Sequence, residues 1–220
     1  TIKPASEALA SGTKFLEQAK SVANQALEKS ADIAAKVSTE AELLAAIASG
    51  KEGLIVLEND IIMSENQTIQ LQKGQSLVGA AYLGANKQTS LTFNITGNSQ
   101  DAIQAADNSL FSDFTVNYNT DIQNNSVAAI HGRNTQNVTV QNMDININSN
   151  HNNGTGISAV RTSGGSMNLR GINNINCNGL FRTYGVTAAH QGQIDIEGKL
   201  NIKTTGTYSF ALVSTVQSSV

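Results

Sequence analysis

Three basic side chains recur along the chain at nearly equal intervals. They are His131, Arg161 and His190, and Arg133 lies two residues after the first of them. Arginine binds planar anions through paired hydrogen bonds, and histidine can act as a base near neutral pH. If the fold brings these positions together on one exposed edge, they predict a binding row for an acidic sugar, a sulfate or a phosphate. Gln104 would extend this row one coil earlier. The structural alternative is a solvent-exposed strand end that accepts any polar residue.

Aromatic side chains offer a second way to hold a sugar, since the face of a ring packs on a sugar ring. Tyr184 is therefore added to the candidate ligand-binding residues, and Tyr118 stays open. Core packing is the better explanation for Phe111, Phe114 and Phe210.

Acidic residues could instead cleave a polysaccharide. Polysaccharide hydrolases need two carboxylates at a fixed separation, and a lyase needs several around Ca²⁺ with a base close by. No D-D or D-x-D pair occurs. The interval from Asp113 to Asp144 is longer than the interval from Phe111 to Val140, which begin equivalent segments, so the two aspartates need not stack. We therefore assign no catalytic residue, metal ligand or cofactor. The carboxylates considered are Asp101, Asp107, Asp113, Asp121, Asp144 and Asp195.

A repeat of short strands must position all of these residues. Phe111, Val140, Leu169 and Ile196 recur at nearly equal intervals. A polar-apolar pattern follows the first two, and Leu169-x-x-Ile172 starts the same pattern again. A period in the high twenties, made of strands and turns alone, is typical of a solenoid in which equivalent residues stack about 4.8 Å apart. A second row lies just before the basic residues: Ile103, Ile130, Val160 and Ala189.

Asparagine is concentrated in the same region: one residue, Asn24, precedes position 58 and 24 follow it. Asparagine is normally depleted in strands. On a stacked scaffold it serves two purposes, because it tolerates left-handed backbone at turns and its amides can form ladders along the axis. Asn142, Asn146 and Asn148 are predicted as turn and outward residues of this kind.

The first fifty residues have a different composition, with thirteen alanines. Thr39 and Glu42 form a T-x-x-E capping box that predicts a short helix ending near Gly50. We divide the chain into a helical segment and cap, residues 1–50, and coils over residues 51–220 that are expected to continue further. An earlier alanine-rich helix, with a weaker coiled-coil alternative, is predicted from the small or apolar positions Leu9, Gly12, Leu16, Ala19, Ala23, Ala26, Ser30, Ile33 and Val37.

Composition limits the partners. Charged residues make up 14% of the chain and the formal charge is −3, so no basic surface for nucleic acid is predicted. No apolar run is expected to span a bilayer, and no signal peptide is predicted within this sequence. Because the chain begins without Met, an excised piece of a longer protein is expected.

The run "STEAELLAAIASGKEGLIVLENDIIMSENQTIQLQKGQSLVGA" resembles the entry to right-handed parallel β-helix proteins of the pectate-lyase-like type. The resemblance extends from about Thr39 to the end and includes an "xxLxG" segment, Gln75 to Gly79. It implies an all-β fold, a right-handed parallel β-helix solenoid with an N-terminal α-helical cap. The group contains enzymes that act on carbohydrate polymers and also bacterial adhesins and passenger domains.

We expect a non-catalytic bacterial protein, secreted or on the cell surface, of the adhesin or virulence-factor type. Its outer face would bind a polysaccharide, a host glycan or a host surface protein. A polysaccharide lyase or glycoside hydrolase is the first alternative. The second is an oligomeric scaffold that self-associates through residues 1–37 or through an open C-terminal coil.

Overall fold

The computed structural model describes residues 11–17, 32–97, 99–121, 127–150 and 156–215. The chain falls into two compact units, Thr1–Ile33 and Ala34–Val220. In the first, residues 11–17 are helical and exposed, which confirms the predicted helix at Gly12 and Leu16. The stripe positions Leu9, Ala19, Ala23, Ala26 and Ser30 lie outside the described residues. Ile33 and Val37 belong to a strand instead, so the helix prediction is wrong there, in keeping with the preference of β-branched residues for strands.

The second unit is a parallel β-solenoid of about 5 turns, as predicted. Apart from β1, which precedes the first coil, each turn, or coil, contributes a strand or half of a strand to each of three faces. The first face contains β1 (Ile33–Val37), β2 (Gly53–Leu57), β5 (Gln75–Gly79), β8 (Leu110–Ser112), β11 (Val138–Gln141) and the first halves of β14 (Ser166–Gly179) and β16 (Gln193–Thr205). The second contains β3 (Ile61–Ile62), β6 (Thr89–Ile95), β9 (Phe114–Thr120), β12 (Asp144–Ser149) and the second halves of β14 and β16. The third contains β4 (Ile69–Gln70), β7 (Ile103–Gln104), β10 (Val127–Arg133), β13 (Ile157–Ser163), β15 (Arg182–Ala189) and β17 (Tyr208–Thr215).

The predicted core row is in register. Phe111 pairs with Val140, Val140 with Leu169, and Leu169 with Ile196. The first three are at most 1% exposed, because the coils before and after them cover both sides of each side chain. Ile196, in the last described coil, is 44% exposed. The stack thus buries columns of apolar side chains inside the coils, and burial of such side chains is worth about 1.5–3 kcal/mol each.

The sequence predicted that Leu169-x-x-Ile172 repeats the pattern of the earlier coils, but the structure of β14 differs from this prediction. Val140 pairs with Leu169, whereas Ile145 pairs with Ile175, so the second interval is one residue longer than the first. The additional residue turns Ile172 outward, where it is 54% exposed. Asn173 is the buried residue instead, and its side chain accepts a hydrogen bond from Met143 N and donates to Arg170 O.

Helix α1 (Glu40–Ala48) covers the first coil. Its capping box is formed as predicted, with Thr39 and Glu42 bonded reciprocally. Leu43 and Ile47 are buried in the apolar core, and the buried amide of Gln75 donates to the Ile47 carbonyl at the end of the helix. The cap thereby supplies apolar contacts and hydrogen bonds to the first coil. A 3-10 helix, Ala80–Leu83, follows β5.

Gly79, the last residue of the "xxLxG" segment, is required by a close backbone approach. A Cβ atom at this position would lie 2.0 Å from the carbonyl oxygen of Asp113 in the next coil. Only glycine fits so close to another main chain.

Within the described residues, no helix is long and apolar enough to span a membrane.

Candidate functional site

The register of the third face brings two of the predicted basic residues together. His131 pairs with Arg161 on the neighbouring coil, and Gln104 precedes His131 in the same row. His190 is not part of this row, because Arg161 pairs with Thr187. The prediction of a three-residue basic row is therefore wrong at His190, which is exposed and has a left-handed backbone, with φ 49°.

A difference in connection length explains this error. The chain takes eight steps from Ser149 to Ile157 but four from Gly179 to Thr183, although both ends are in register. As a result Val186, and not Ala189, stacks on Val160. Regular spacing of the core therefore does not fix the register across a turn of variable length.

The prediction of an exposed edge is also wrong for His131 and Arg161, the pair that does stack. Ile130 and Val160 belong to the apolar core, so the next residues, His131 and Arg161, point away from it. His131 is nevertheless 1% exposed and Arg161 8%. The imidazole is enclosed because residues on the coils before and after it contact both of its nitrogens.

Asp101 is the first of these residues. It lies just before β7, and its side chain is fully buried. One carboxylate oxygen accepts from Ala128 N and lies 2.9 Å from His131 Nδ1. The other accepts from both Nε and Nη2 of Arg133, at 3.0 and 2.8 Å. Four hydrogen bonds thus compensate the buried charge of one carboxylate.

Ser163 is the second residue, at the end of β13 and half-buried. Its hydroxyl lies 3.0 Å from His131 Nε2 and accepts a hydrogen bond from Arg161 Nε at 3.3 Å. An ionised carboxylate can only accept, so Nδ1 of His131 carries its proton toward Asp101. In the neutral ring Nε2 is then the acceptor, and the hydroxyl of Ser163 donates to it.

The charges of the site follow from burial and neighbours. Burial raises the pKa of Asp101, but hydrogen bonds and charges from His131 and Arg133 outweigh it, and the net pKa is lowered. Burial lowers the pKa of His131, with a smaller opposing contribution from Asp101 and a further lowering by the two arginines. The site at neutral pH therefore contains a carboxylate, a neutral imidazole and two guanidinium groups. Burial also lowers the pKa of Arg161.

Tyr184, the fifth predicted ligand-binding residue, lies on the same outer side as Arg161. It pairs with Ser158 and Phe210, and its ring centroid is 5.9 Å from that of Phe210. Phe210 is 51% exposed, so the prediction that it packs in the core is wrong, whereas Phe111 and Phe114 are fully buried as predicted. Tyr118 is buried too, with its hydroxyl donating to Gln100 O, and cannot present a ring face to a sugar.

The second face has a different surface, made of stacked amides. Asn146 donates to Asn117 Oδ1 at 3.0 Å, and Asn148 donates to Asn119 Oδ1 at 2.9 Å. These bonds confirm the predicted asparagine ladders. Five successive strands align their outward residues in three columns: Ser90, Thr115, Asp144, Asn174 and Asn201; Thr92, Asn117, Asn146, Asn176 and Lys203; and Asn94, Asn119, Asn148, Asn178 and Thr205.

Turn asparagines adopt left-handed backbone, as predicted, at Asn66, Asn108, Asn134, Asn137 and Asn142. Asn142 stands between the first and second faces, where it donates to Asp113 and accepts from the amide of Ile172. Asp144, two residues later, pairs with Thr115 and not with Asp113.

A groove of about 450 Å³ runs over the last four of these five strands, from β9 to β16. Its lining is polar except for Ile175 and Ile202: Thr115, Asp144, Asn146, Asn174, Asn176, Asn201 and Lys203 complete it. We call the three columns together the amide face. Across the described ranges, no group of three or more His, Cys, Asp or Glu side chains could hold a metal ion.

Sequence reasoning named Asp101 only as one of six candidate carboxylates, and it did not name Ser163. A signal for Asp101 existed, since it precedes His131 by about one coil and would stack near it.

Comparison with protein-family models, curated proteins and solved structures finds no match for this chain.

Proposed function

We propose that this chain binds an extended polysaccharide along its amide face, as a pectate-lyase-like, right-handed parallel β-helix that is secreted or displayed on a bacterial surface. In this proposal it acts as an adhesin or virulence factor whose ligand is a host glycan. The observation that carries the proposal is the alignment of outward amides on five successive strands.

The amides in these columns retain hydrogen-bonding capacity for a ligand. Asn117 donates one N–H to Thr92 and accepts one bond from Asn146, and Asn119 is bonded in the same way to Asn94 and Asn148. An asparagine side chain has two N–H groups and two lone pairs, so one of each stays available. Sugar hydroxyls both donate and accept, and they match such a surface.

The spacing suits a polymer better than a single sugar. Equivalent amides recur about every 4.8 Å along the axis, close to the length of one sugar residue in an extended chain. Each contact is weak in water, but consecutive contacts on one ligand reinforce each other because the later ones form intramolecularly. The groove over Asn146, Asn174 and Asn176 is where we place the strongest contacts.

Binding on this face is proposed to occur without turnover. Hydrolysis of a glycosidic bond needs two carboxyl groups. The columns contain one carboxylate, Asp144, and its two oxygens accept from Asn174 and Gln88.

The test is a binding screen of neutral and acidic polysaccharides with the wild type and matched variants. We expect Asn176→Ala combined with Lys203→Ala to lower affinity at least tenfold, since both side chains line the groove. Asn168→Ala is the control, because Asn168 points outward from the first half of β14, on the neighbouring face. No binding by the wild type, or equal losses in both variants, would refute the proposal.

A second candidate, self-association, is favoured by the last described coil. Ile196, Phe210 and Leu212 are 44%, 51% and 58% exposed, and Ile196 and Leu212 line an opening of about 430 Å³. Among the described strands, β16 and β17 each pair on one side. We propose that a second copy of the chain covers this apolar strand edge.

Sedimentation velocity over a range of concentrations tests this proposal. The average mass of the wild type should rise with concentration, and Leu212→Glu should abolish the rise. Leu180→Glu is the control, because Leu180 is similarly exposed, at 60%, but lies in the turn after β14. A wild type that stays monomeric, or equal effects of both variants, would exclude this interface.

A further inference from the structure

We propose that Ser163 is a nucleophile for acyl transfer, with His131 as its general base and Asp101 as the group that orients the imidazole, and that this site hydrolyses esters of short acyl groups. The site lies on the third face of the solenoid, apart from the amide face. The inference goes beyond polysaccharide binding and does not depend on it.

The hydrogen-bond order of the three side chains is that of a serine nucleophile with its base. The hydroxyl of Ser163 is 3.0 Å from His131 Nε2, and Nδ1 of the same ring is 2.9 Å from the Asp101 carboxylate. Both distances lie in the range expected for an activated nucleophile, about 2.6–3.2 Å. The carboxylate fixes the tautomer in which Nε2 can accept the proton of the hydroxyl.

The backbone holds this geometry firmly. The three residues come from three successive coils, with His131 on β10 and Ser163 at the end of β13. These strands are in parallel register from Val127 to Arg133, and Asp101 is bonded to the main chain of Ala128 on the same strand. Sites on strands are positioned more precisely than sites on loops.

The three residues differ in exposure as catalysis requires, with an accessible nucleophile and a buried base. Asp101 and His131 are buried, while Ser163 at the end of the hydrogen-bond chain is half-buried. A substrate can therefore reach the hydroxyl without displacing the base. Burial of the pair also keeps water away from the imidazole, which strengthens its interaction with the carboxylate.

Arg161 places a positive group beside the nucleophile, next to the carbonyl oxygen that becomes the oxyanion in the proposed reaction. Its Nε donates to Ser163 Oγ at 3.3 Å, and the guanidinium is largely buried. A charge fixed in a desolvated site stabilises a negative oxygen much more than it would in water. Arg133 is the register partner of Ser163 on β10 and brings a second guanidinium to this end of the strand pair.

The proposed reaction forms an acyl-serine on Ser163 and then hydrolyses it. Ser163 Oγ attacks the carbonyl carbon of the ester, and its proton passes to His131 Nε2. The tetrahedral intermediate then breaks the bond to the leaving oxygen, which takes the proton from His131 and departs as the alcohol. Water attacks the acyl-serine, gives a proton to His131, and releases the carboxylic acid as Ser163 recovers its hydrogen.

The surroundings of the hydroxyl indicate the substrate class. His131 and Arg161 both hydrogen-bond Ser163 Oγ, and the residues after Ser163 are Gly164 and Gly165. A site in which two polar side chains hydrogen-bond the nucleophile fits a short acyl group, such as acetyl, on a hydrophilic alcohol. An O-acetylated sugar has this chemistry.

The test combines turnover of 4-nitrophenyl acetate with labelling by a fluorophosphonate, mapped by peptide mass spectrometry. We expect one label per chain, on Ser163, and loss of turnover by roughly 10³-fold in Ser163→Ala. Ser166→Ala is the control. Ser166 is also half-buried, but its hydroxyl donates to Gln136 and not to a histidine.

A buried polar network with a purely structural role gives a different result. It predicts a change in stability for Ser163→Ala but no label on Ser163 in the wild type, so folding of the variant does not decide the matter. Turnover should also decline at acidic pH as His131 takes up a proton, and should be lost in His131→Gln. Absence of labelling, a label on another serine, or unchanged turnover in Ser163→Ala would overturn the proposal.

Discussion

The carboxylate of Asp101 lies 2.9 Å from Nδ1 of His131, although the two residues are far apart in the chain. The solenoid makes them neighbours, because one coil returns the chain to the same face. Arg133 closes the arrangement with two hydrogen bonds to the second carboxylate oxygen. The stability of this region therefore depends on a single acidic side chain.

Replacing that side chain should be costly. We expect Asp101→Ala to lower the free energy of unfolding by about 3–5 kcal/mol, because removal of one partner from a buried charged network leaves the others uncompensated. Denaturant titration followed by circular dichroism measures this loss. Asp195→Ala, at an exposed position, should change the free energy of unfolding by no more than about 0.5 kcal/mol. A loss below about 1 kcal/mol for Asp101→Ala would contradict the role given to this network.

Stability should decrease as the solution becomes acidic. The folded pKa of His131 is lowered, chiefly by burial, so below the ordinary value of about 6.5 the unfolded chain binds a proton that the folded chain does not. The contribution of a neutral His131 is complete above this pH and is lost as pH falls toward the folded pKa. Asp101, whose pKa is also lowered, adds a loss of the same sign below its ordinary value of 3.8.

Thermal melts between pH 7.5 and pH 5 test this dependence. In His131→Gln the slope of melting temperature against pH should be smaller, whatever the absolute stability of the variant. His190→Gln, which alters an exposed ring, should keep the wild-type slope. An identical slope in all three proteins would show that His131 does not set the pH dependence.

The core of the solenoid was predictable from sequence because its residues cannot slip. A displacement of one position would turn Phe111 or Val140 to the wrong side of the strand, so the spacing of the apolar row follows the structure. The row behind His131 was predictable for the same reason as far as Val160. The prediction was wrong at Ala189, because the connection before β15 is four residues shorter than the one before β13 and no apolar pattern marks that change.

The site was predictable only in part. His131 and Arg161 do stack, since both follow a core residue on paired strands. Their burial was not predictable, because it depends on Asp101, which stands outside a strand where periodicity carries no information. Ser163 was missed because serine is common at strand ends and its partner becomes visible only when the register is known.

Asn142 offers a way to separate backbone from side-chain effects at the turn between the first and second faces. Its φ is 50°, and its side chain donates to Asp113 and accepts from Ile172 N. Asn142→Ala should cost about 2–4 kcal/mol, since it loses both bonds and places alanine in left-handed backbone. Asn142→Gly loses the bonds alone and should cost about 1–2 kcal/mol. Unfolding in urea measures both.

Asn168→Ala serves as the control for these two variants, because Asn168 lies within β14 and points outward. It should change stability little. If glycine and alanine at position 142 were equally destabilising, the left-handed backbone would contribute nothing, and the value of asparagine there would lie entirely in its hydrogen bonds.

Cys177 should report when the second half of β14 opens. The thiol is fully buried, pairs in register with Ile147, and burial raises its pKa to about 12. The thiolate is the reactive form, so an aromatic disulfide reagent at pH 8 should react with the folded protein at a rate set by opening of the structure. In denaturant the reaction should be complete within the mixing time of a manual assay.

Asn176→Cys is the matched control for this measurement. The introduced thiol is next to Cys177 in the chain but faces outward on the amide face, so it should react at once while Cys177 remains protected. One equivalent of fast thiol in the variant and none in the wild type would confirm the alternation along β14. Fast reaction of Cys177 in the wild type would mean that this strand separates from β12 and β16 readily, and the amide columns would then be too mobile to present a regular surface to a polymer.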